Sequence, residues 1–302
     1  MKRLCALAFL VLVSGCVETS EPARPQEVEA PANVRDLSTA GESPNSLIAF
    51  GTGDGIITMA PDGSQRTNIT GASTRSPSAP QWSPDGSSLV FICYFGEADE
   101  IQELCIIDRD GTNLQRLTES AGGEFSPDWS PNGRWIAFAR ASDRTSRIFR
   151  VRPDGSGEQL IPNTRNSGHL GWRHHRRIVF ARGSVDGGDI YTIRRDGTGR
   201  RRLTFPHDGA DDEPQWSPDG NRIVFMRLTD VATFDIFKMA ADGSRVRRLT
   251  HRCCSAAAPA WSPNGRTILF LDDGLRRMKA NGSGVRRVPN ARDAGPADWT
   301  AN

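Results

Sequence analysis

One short signature recurs along the chain and constrains its fold more than any other feature. A tryptophan, usually within Pro-x-Trp-Ser-Pro-Asp/Asn-Gly, alternates with an Asp-Gly or Asn-Gly turn. The tryptophans are Trp82, Trp129, Trp172, Trp216, Trp261 and Trp299, and the turns begin at Asp62, Asp110, Asp154, Asp196, Asp242 and Asn281. Successive tryptophans are 38 to 47 residues apart, the period of a four-stranded propeller blade. A turn opens the array and a tryptophan ends it, so we expect the last segment to complete the first unit.

Each unit contains four short apolar runs separated by turn residues. In the fifth unit, strand A is the segment before Trp216, strand B ends at Phe225 and strand D is expected to end at Leu249-Thr250. Alternating runs of this length between glycine-rich turns indicate strands. The sequence therefore predicts an all-β, six-bladed β-propeller over residues 46–300, closed by a C-terminal strand that contains Trp299.

These motifs resemble the TolB-like β-propeller repeat, whose pattern is close to Pro-x-Trp-Ser-Pro-Asp-Gly, Ile-x-Phe, Ile-Tyr, Asp-Gly and Leu-Thr. The resemblance covers about residues 46–300. It implies a propeller that acts as an interaction scaffold, although the same repeat occurs in peptidase propeller domains and lyases. TolB itself also has an N-terminal α/β domain, which we do not expect in this sequence.

The amino-terminal residues have the pattern of a secretion signal. Lys2 and Arg3 precede an apolar stretch of ten residues, 4–13, which is too short to span a bilayer. Small residues directly before Cys16 resemble the bacterial lipoprotein cleavage box, which implies removal of residues 1–15 and lipidation of Cys16; the alternative is an ordinary signal peptide. Residue 17 is Val rather than the Asp that commonly retains such lipoproteins in the inner membrane. We therefore expect the protein at the periplasmic face of the outer membrane. Residues 16–45, rich in Glu, Pro and Ala, predict a disordered tether.

Four further cysteines fall in the region that would lie in an oxidising compartment. Cys93 on strand B and Cys105 on strand C are expected to oppose each other directly and to form a disulfide below the loop 94–104. Cys253 and Cys254 are adjacent; a vicinal disulfide, a metal-binding pair and an incidental pair all remain open.

The balance of charges gives no general argument for nucleic acid or a membrane surface, since 38 basic residues face 36 acidic ones. Arginine runs such as Arg200-Arg201-Arg202 fall at the starts of outer strands. We interpret them as charged edges that prevent edge-to-edge association, with an acidic partner as the alternative. Residues 173–177 replace the usual turn of blade 4 with a basic segment, which indicates either drift in one repeat or a patch for an anionic partner.

No nucleophile elbow, phosphate-binding glycine loop or His-Glu-x-x-His motif is present, so we expect a non-enzymatic protein without cofactor. The face opposite the turns should carry the binding residues. The candidates are Tyr94, Phe95, Glu97, Asp99 and Glu100 in one loop and Asp208, Asp211, Asp212 and Glu213 in another.

The expected partner is an envelope protein or a peptidoglycan-associated lipoprotein, bound by a monomer. The alternative hypothesis is a metal-dependent polysaccharide lyase or hydrolase, with His169, His207 and His251 in successive loops as metal ligands. A calcium ion held by the acidic loop for stability is a third reading.

Overall fold

The computed structural model describes residues 43, 45–74, 76–94, 101–142, 145–172, 177–184, 187–205, 209–230, 233–251 and 255–301. All of them belong to Leu37–Asn302, the second of the two units into which the chain divides. In chain order the strands are β1 (Leu47–Thr52), β2 (Gly55–Met59), β3 (Thr67–Asn68), β4 (Ser78–Trp82), β5 (Ser88–Cys93), β6 (Glu103–Asp108), β7 (Gln115–Arg116), β8 (Glu124–Trp129), β9 (Ile136–Ser142), β10 (Thr145–Val151), β11 (Gln159–Leu160), β12 (Ser167–Gly171), β13 (Arg177–Ser184), β14 (Gly187–Arg194), β15 (Arg201–Arg202), β16 (Asp211–Trp216), β17 (Arg222–Asp230), β18 (Thr233–Ala240), β19 (Arg247–Arg248), β20 (Ala257–Trp261), β21 (Thr267–Leu271), β22 (Leu275–Lys279), β23 (Arg286–Arg287) and β24 (Ala297–Thr300).

These strands form six antiparallel sheets of four strands each, which are the six blades of the predicted propeller. Blades 2 to 6 use four consecutive strands, whereas blade 1 has the order β24-β1-β2-β3. Ile48 pairs with Trp299 in this first blade. The predicted closure of the ring by the C-terminal strand is therefore confirmed.

The apolar core lies between neighbouring blades. One cluster joins Val90 and Leu104 of blade 2 to Trp129 and Phe138 of blade 3, and the other blade junctions repeat this arrangement. The strand B phenylalanines are completely buried. Because each side chain column serves two blades, no blade buries its apolar surface alone.

The Ser-Pro-Asp-Gly sequence builds the turn between strands A and B through its polar side chains. In blade 5, the Ser217 hydroxyl donates to Asp219 at 2.6 Å and accepts from the backbone N–H of Arg222 at 2.9 Å. Asp219 also accepts from the backbone N–H of Asn221. The motif thus satisfies backbone groups that the tight turn would leave without a partner.

The Asp-Gly turn between strands C and D packs against the preceding blade. In blade 5, Gly243 has φ +85°, and a Cβ there would lie 2.6 Å from the carbonyl oxygen of Leu203. Glycine is required at this turn both for its backbone conformation and for the close approach. Strand D itself has only two residues and ends before the Leu-Thr pair, so it is shorter than the sequence predicted.

Cys93 and Cys105 form the predicted disulfide, with a Cα–Cα distance of 5.9 Å. The predicted register was wrong: Phe91 pairs with Cys105, and Cys93 pairs with Glu103. A shift of two residues leaves both cysteines on the same face of the sheet, because side chains alternate with period two. They are diagonal neighbours rather than direct partners.

Candidate functional site

The inner strands line a central cavity of about 250 Å³. In β4, β8, β12, β16 and β20 the pairing register shifts shortly before the tryptophan. Each shift inserts a bulge, which re-aims the bulged side chain. The residue three positions before each of these five tryptophans therefore lines the cavity: Ala79, Ser126, His169, Glu213 and Ala258. Pro296, three positions before Trp299, lines it as well, although β24 has no such shift.

His169 and Glu213 line this cavity, and Asp212 is hydrogen-bonded to His169 beside it; we call His169, Asp212 and Glu213 the charged triad. Nδ1 of His169 lies 3.0 Å from Oδ1 of Asp212. Asp212 also accepts from the backbone N–H of Glu213 at 2.8 Å. Glu213 accepts from the backbone N–H of Ala258 at 2.5 Å. The triad thus links the inner strands of blades 4, 5 and 6.

Glu213 has a φ of +50°, the left-handed region that residues other than glycine rarely adopt. The same bulge position has positive φ at Ala79, Ser126 and Ala258. The repeat of this conformation in four blades shows that it belongs to the propeller bulge. In blade 5 it carries a carboxyl group into the cavity.

The electrostatics of the triad favour an imidazolium beside a carboxylate. Burial by itself lowers the pKa of His169, but the charge and hydrogen bond of Asp212, with a smaller effect of Glu213, raise it to about 9. Burial by itself raises the pKa of Asp212, but the charge and hydrogen bond of His169 lower it below its ordinary value. Burial raises the pKa of Glu213. The charge of His169 lowers this pKa and the charge of Asp212 raises it, and the pKa stays above its ordinary value.

The neighbours of the triad are positioned by the fold. The ring of Phe125 contacts the His169 ring edge-on at a centroid distance of 6.0 Å. Ser126 also lines the cavity, but its hydroxyl accepts from the backbone N–H of Leu170 at 3.0 Å. This hydroxyl therefore joins blade 3 to blade 4. The arrangement suits recognition of a polar or basic group, with His169 as a donor and Glu213 as an acceptor.

The structure corrects the placement of several candidate residues. His169 lies within β12 and Asp211 to Glu213 lie within β16, so these residues are on inner strands rather than in loops. Asp211 is completely buried and makes a two-point ion pair with Arg227 at 2.6 and 2.9 Å. It is therefore not exposed to a partner, whereas the side chains of Asp212 and His169 are 36% and 42% exposed.

The loop candidates are only partly described. The Tyr94 hydroxyl accepts from the Gln102 amide at 2.8 Å, and Gln102 lines the cavity. His251 is exposed just after β19. The other candidates lie outside the described residues: Cys16, Phe95, Glu97, Asp99, Glu100, His207, Asp208, Cys253 and Cys254.

No group of three or more His, Cys, Asp or Glu within the described ranges is placed to hold a metal ion. Because His207 lies outside those ranges, the three-histidine hypothesis is not tested.

Sequence reasoning missed the role of the arginine that precedes Leu-Thr. In blade 5, Arg248 forms an ion pair with buried Asp235 and donates to the backbone carbonyl of Thr250 at 2.9 Å. The Thr250 hydroxyl accepts from the backbone N–H of Ile236 at 2.9 Å and donates to Asp235 at 2.7 Å. Blades 2 and 4 repeat this pattern, with Arg116 and Glu103 and with Arg202 and Asp189. The recurrent spacing of an acid on strand C and Arg-Leu-Thr was the available signal.

A buried pair of carboxyl groups lies between blades 2 and 3. Glu103 and Glu124 both accept from the Thr118 hydroxyl, at 2.7 and 3.3 Å. Glu124 is completely buried and pairs with Arg140 at 2.7 Å. Burial and the hydrogen bond with Glu103 raise the pKa of Glu124 to about 7. Burial by itself raises the pKa of Glu103, but hydrogen bonds from Glu124 and Ser120 lower it below its ordinary value.

Comparison with known proteins agrees with this architecture. Residues 172–289 match the TolB beta propeller domain. An uncharacterised protein of Agrobacterium fabrum, Atu1656, is 32% identical over 201 residues, which are 63% of this chain and 53% of that protein. The Tol-Pal system protein TolB of Syntrophus aciditrophicus is 44% identical over 52 residues, 17% of this chain and 12% of its own length. An uncharacterised peptidase of Bacillus subtilis, YuxL, is 25% identical over 47% of this chain and 16% of its own length.

Solved structures show the same fold. TolB from Acinetobacter baumannii superposes with a TM-score of 0.70 at 16% identity, covering 84% of this chain and 66% of that chain. A putative TolB from Agrobacterium tumefaciens gives a TM-score of 0.61 at 22% identity, covering 80% of this chain and 88% of that chain. The chain spans about half the length of its Agrobacterium fabrum relative. Within the described part of the chain, no helix is long and apolar enough to cross a membrane. The repeat, the matched domain and the six-bladed ring agree: residues 172–289 carry a TolB beta propeller domain, which is part of a six-bladed ring.

Proposed function

We propose that this protein is a non-enzymatic interaction scaffold of the bacterial cell envelope, which binds a protein partner at the mouth of its central cavity. The observation that carries the proposal is the charged triad. His169 and Asp212 lie 3.0 Å apart on neighbouring inner strands, and Glu213 adds a carboxyl group to the same wall. A donor and an acceptor are thus held at fixed positions in a closed ring.

The rigidity of the site supports a binding role. Its polar side chains lie on strands, and the backbone N–H groups of Glu213 and Ala258 hold the two carboxyl groups. A site that is already ordered loses little conformational entropy when a partner binds. A partner segment with a basic side chain and a backbone carbonyl would match Glu213 and His169. The relative named for the Tol-Pal system favours an envelope protein, such as a peptidoglycan-associated lipoprotein.

The arrangement around the triad supports binding more than hydrolysis. The Ser126 hydroxyl is used in a hydrogen bond between blades, so it is poorly placed to act as a nucleophile for His169. The lyase hypothesis requires a tightly held metal ion. Elemental analysis of the purified protein tests this point: one transition metal per chain, lost in a His207→Ala variant, would contradict the scaffold.

A photo-crosslinking experiment tests the binding site. A photoreactive residue replaces Gln102 at the cavity or, as the control, Gln159 on the exposed outer strand β11, in the full chain in intact cells. We expect one discrete adduct from position 102 and none from position 159. Adding His169→Ala or Glu213→Gln should abolish the adduct. An equal adduct from both positions, or one that is indifferent to the triad, would contradict the proposal.

We further propose that lipid on Cys16 anchors the ring in the outer membrane, facing the periplasm. The residues before Cys16 resemble a lipoprotein cleavage box, and more than one acyl chain gives stable anchoring. The wild-type protein should sediment with outer membranes after a high-salt wash, while Cys16→Ala should not. Retention of Cys16→Ala in the washed membranes would show that another segment anchors the chain.

A further inference from the structure

Two groups of basic residues in the ring differ in their surroundings. The first group consists of arginines paired with carboxylates, such as Arg140 with Glu124, Arg227 with Asp211 and Arg248 with Asp235. The second group lies in the turns of blades 4 to 6 or at the strand ends next to them, and we call it the basic turn face: Arg195, Arg201, Arg222, Arg247, Arg266 and Lys279. All six are exposed. Among the described residues, none of these six side chains has an ion pair.

These residues share one face because both turns of each blade lie at the same end of its strands. In blade 5 the backbone N–H of Ala241 donates to the carbonyl of Asn221, and in blade 6 Ala280 donates to Arg266. These bonds join the C–D turn of each blade to its A–B turn. The cavity mouth with the charged triad is at the opposite end of the inner strands.

Several cations of this face lie close enough to repel one another. Burial and the charges of Arg222 and Arg247 lower the pKa of Lys238. Burial and the charges of Arg194 and Arg201 lower the pKa of Arg177. Such mutual repulsion destabilises the free protein slightly and is relieved when an anion binds.

The carboxylates of this face already serve the turns. Asp196, Asp219 and Asp242 each accept hydrogen bonds from the residue two positions later. They are fewer than the exposed cations around them. The net charge of the face is therefore positive.

A groove between blades 5 and 6 lies within this face. It encloses about 850 Å³ and is lined by Arg222, Arg266 and Lys279, with Asp219 at its side. This volume falls in the range of sites for small organic groups. Three cations around one groove suit a phosphate ester, whose oxygens accept several charge-assisted hydrogen bonds.

We propose that the basic turn face docks onto the surface of a bilayer that contains anionic phospholipids, with a headgroup phosphate in the groove between blades 5 and 6. The cations extend over three blades, so the charged surface continues well beyond the groove. Blade 3 continues it with Trp135, whose ring lies under Arg150 and Arg152 at 4.6 and 5.3 Å. Tryptophan and arginine are favoured at the headgroup level of membranes.

The choice of a bilayer over an acidic protein rests on this breadth and on the proposed envelope location. Docking by the turns would direct the cavity mouth and its charged triad away from the lipid, toward a partner. Lipid on Cys16 would keep the ring near the membrane, while the basic turn face would set its orientation.

Vesicle binding tests the proposal with the full chain carrying Cys16→Ser, so that no acyl chain contributes. Sedimentation with phosphatidylcholine vesicles measures any binding through the apolar amino-terminal residues. Vesicles that also contain phosphatidylglycerol measure the electrostatic part. We expect tighter binding to the anionic vesicles, weakened by salt. The double variant Arg222→Glu/Arg266→Glu should bind them about tenfold less tightly or worse.

The matched control is Arg165→Glu/Arg292→Glu, which makes the same change in net charge at exposed positions in connections from strand D to the next strand A, away from the A–B and C–D turns. It should bind as the parent does, and thermal unfolding should confirm that both variants are folded. Equal binding to neutral and anionic vesicles would overturn the proposal and direct attention to an acidic protein. Equal loss in both double variants would also overturn it, because net charge alone would then explain binding. Neither result depends on the partner of the charged triad.

Discussion

Asp298, close to the end of the chain, accepts a hydrogen bond from the backbone N–H of Trp82 at 2.9 Å. The bond crosses from the inner strand of blade 1 to that of blade 2 and spans 216 residues of sequence. Asp128 makes the same contact with Trp172, from blade 3 to blade 4, at 2.6 Å. The residue before the tryptophan thus connects neighbouring blades, and Asp298 does so next to the closing strand.

Removal of the closing strand should destroy the cooperative unfolding of the ring. A chain without residues 296–302 loses Trp299 from the core and leaves the edge of β1 unpaired. We expect a loss of stability above the roughly 3–5 kcal/mol of a buried tryptophan, together with aggregation through the open edge. The measurement is urea unfolding with light scattering. A chain without residues 301–302 alone should behave as wild type, and equal stability of the two truncations would contradict closure by β24.

Replacement of Asp298 should weaken the same junction without removing a strand. Asp298→Ala leaves the buried N–H of Trp82 without the carboxylate that accepts its hydrogen bond, at a cost of about 1–3 kcal/mol. Asp128→Ala should cost a similar amount at an internal junction. Equilibrium unfolding in denaturant measures both. If Asp298→Ala left the free energy of unfolding unchanged while Asp128→Ala lowered it, the hydrogen bond at the closing junction would contribute little to stability.

The Glu103–Glu124 pair predicts a stability that falls as pH rises. The pKa of Glu124 is raised to about 7 in the folded protein, so between about pH 4.5 and 7 the folded state holds a proton that the unfolded state releases. The associated stabilisation is complete below this window and lost through it, by on the order of 2 kcal/mol. The lowered pKa of Glu103 acts in the opposite sense at more acidic pH.

Glu124→Gln should remove the slope of stability in that window, because glutamine does not titrate. Denaturant unfolding at a series of pH values measures it. Asp235→Asn in blade 5 is the matched control: it replaces a buried acid that also pairs with an arginine but leaves Glu124 unchanged. If the slope persisted in Glu124→Gln, another group would be responsible for it.

His169 should titrate far above an ordinary histidine. Burial lowers its pKa, but the charge and hydrogen bond of Asp212 outweigh this effect and raise the pKa to about 9. Asp212→Asn removes that charge, so the titration midpoint should fall by more than one pH unit toward the ordinary range. NMR titration of the imidazole signals measures the midpoint. Asp219→Asn, which replaces a carboxylate of the turn after β16, is the control and should leave the His169 midpoint unchanged.

The disulfide should stabilise the ring by about 2–3 kcal/mol, the range for a loop closed between residues 12 apart. Thermal unfolding with and without reductant compares the wild type with Cys93→Ser/Cys105→Ser. The wild type should melt lower when reduced, and the double variant should melt low in both conditions. A reductant effect of equal size in the double variant would assign the stabilisation to other cysteines.

The blades and their closure were predictable because strand alternation and turn residues are local signals. The Trp299 segment could be assigned to blade 1 since the array begins with a turn and ends with a tryptophan. Register was not predictable to two residues: Cys93 pairs with Glu103 rather than with Cys105, and alternation is unchanged by such a shift.

The site was less predictable than the fold, for two physical reasons. The bulge gives Glu213 a positive φ, and a glutamate in the sequence does not indicate that conformation. The role of Asp211 depended on which face of β16 met Arg227, a contact between strands that composition does not reveal. Both residues looked like parts of one acidic loop, yet one supports the blade and the other lines the cavity.

The pairing of Leu47 with Thr300 places the two ends of the ring sequence one strand spacing apart. A short linker between them would turn the closing strand pair into an ordinary hairpin, and new ends could then be opened at the turn of any other blade. The architecture of the ring thus does not fix the position at which the ring is attached to the preceding segment. A circularly permuted ring could present its cavity at a different angle to the same attachment without any change in the binding residues.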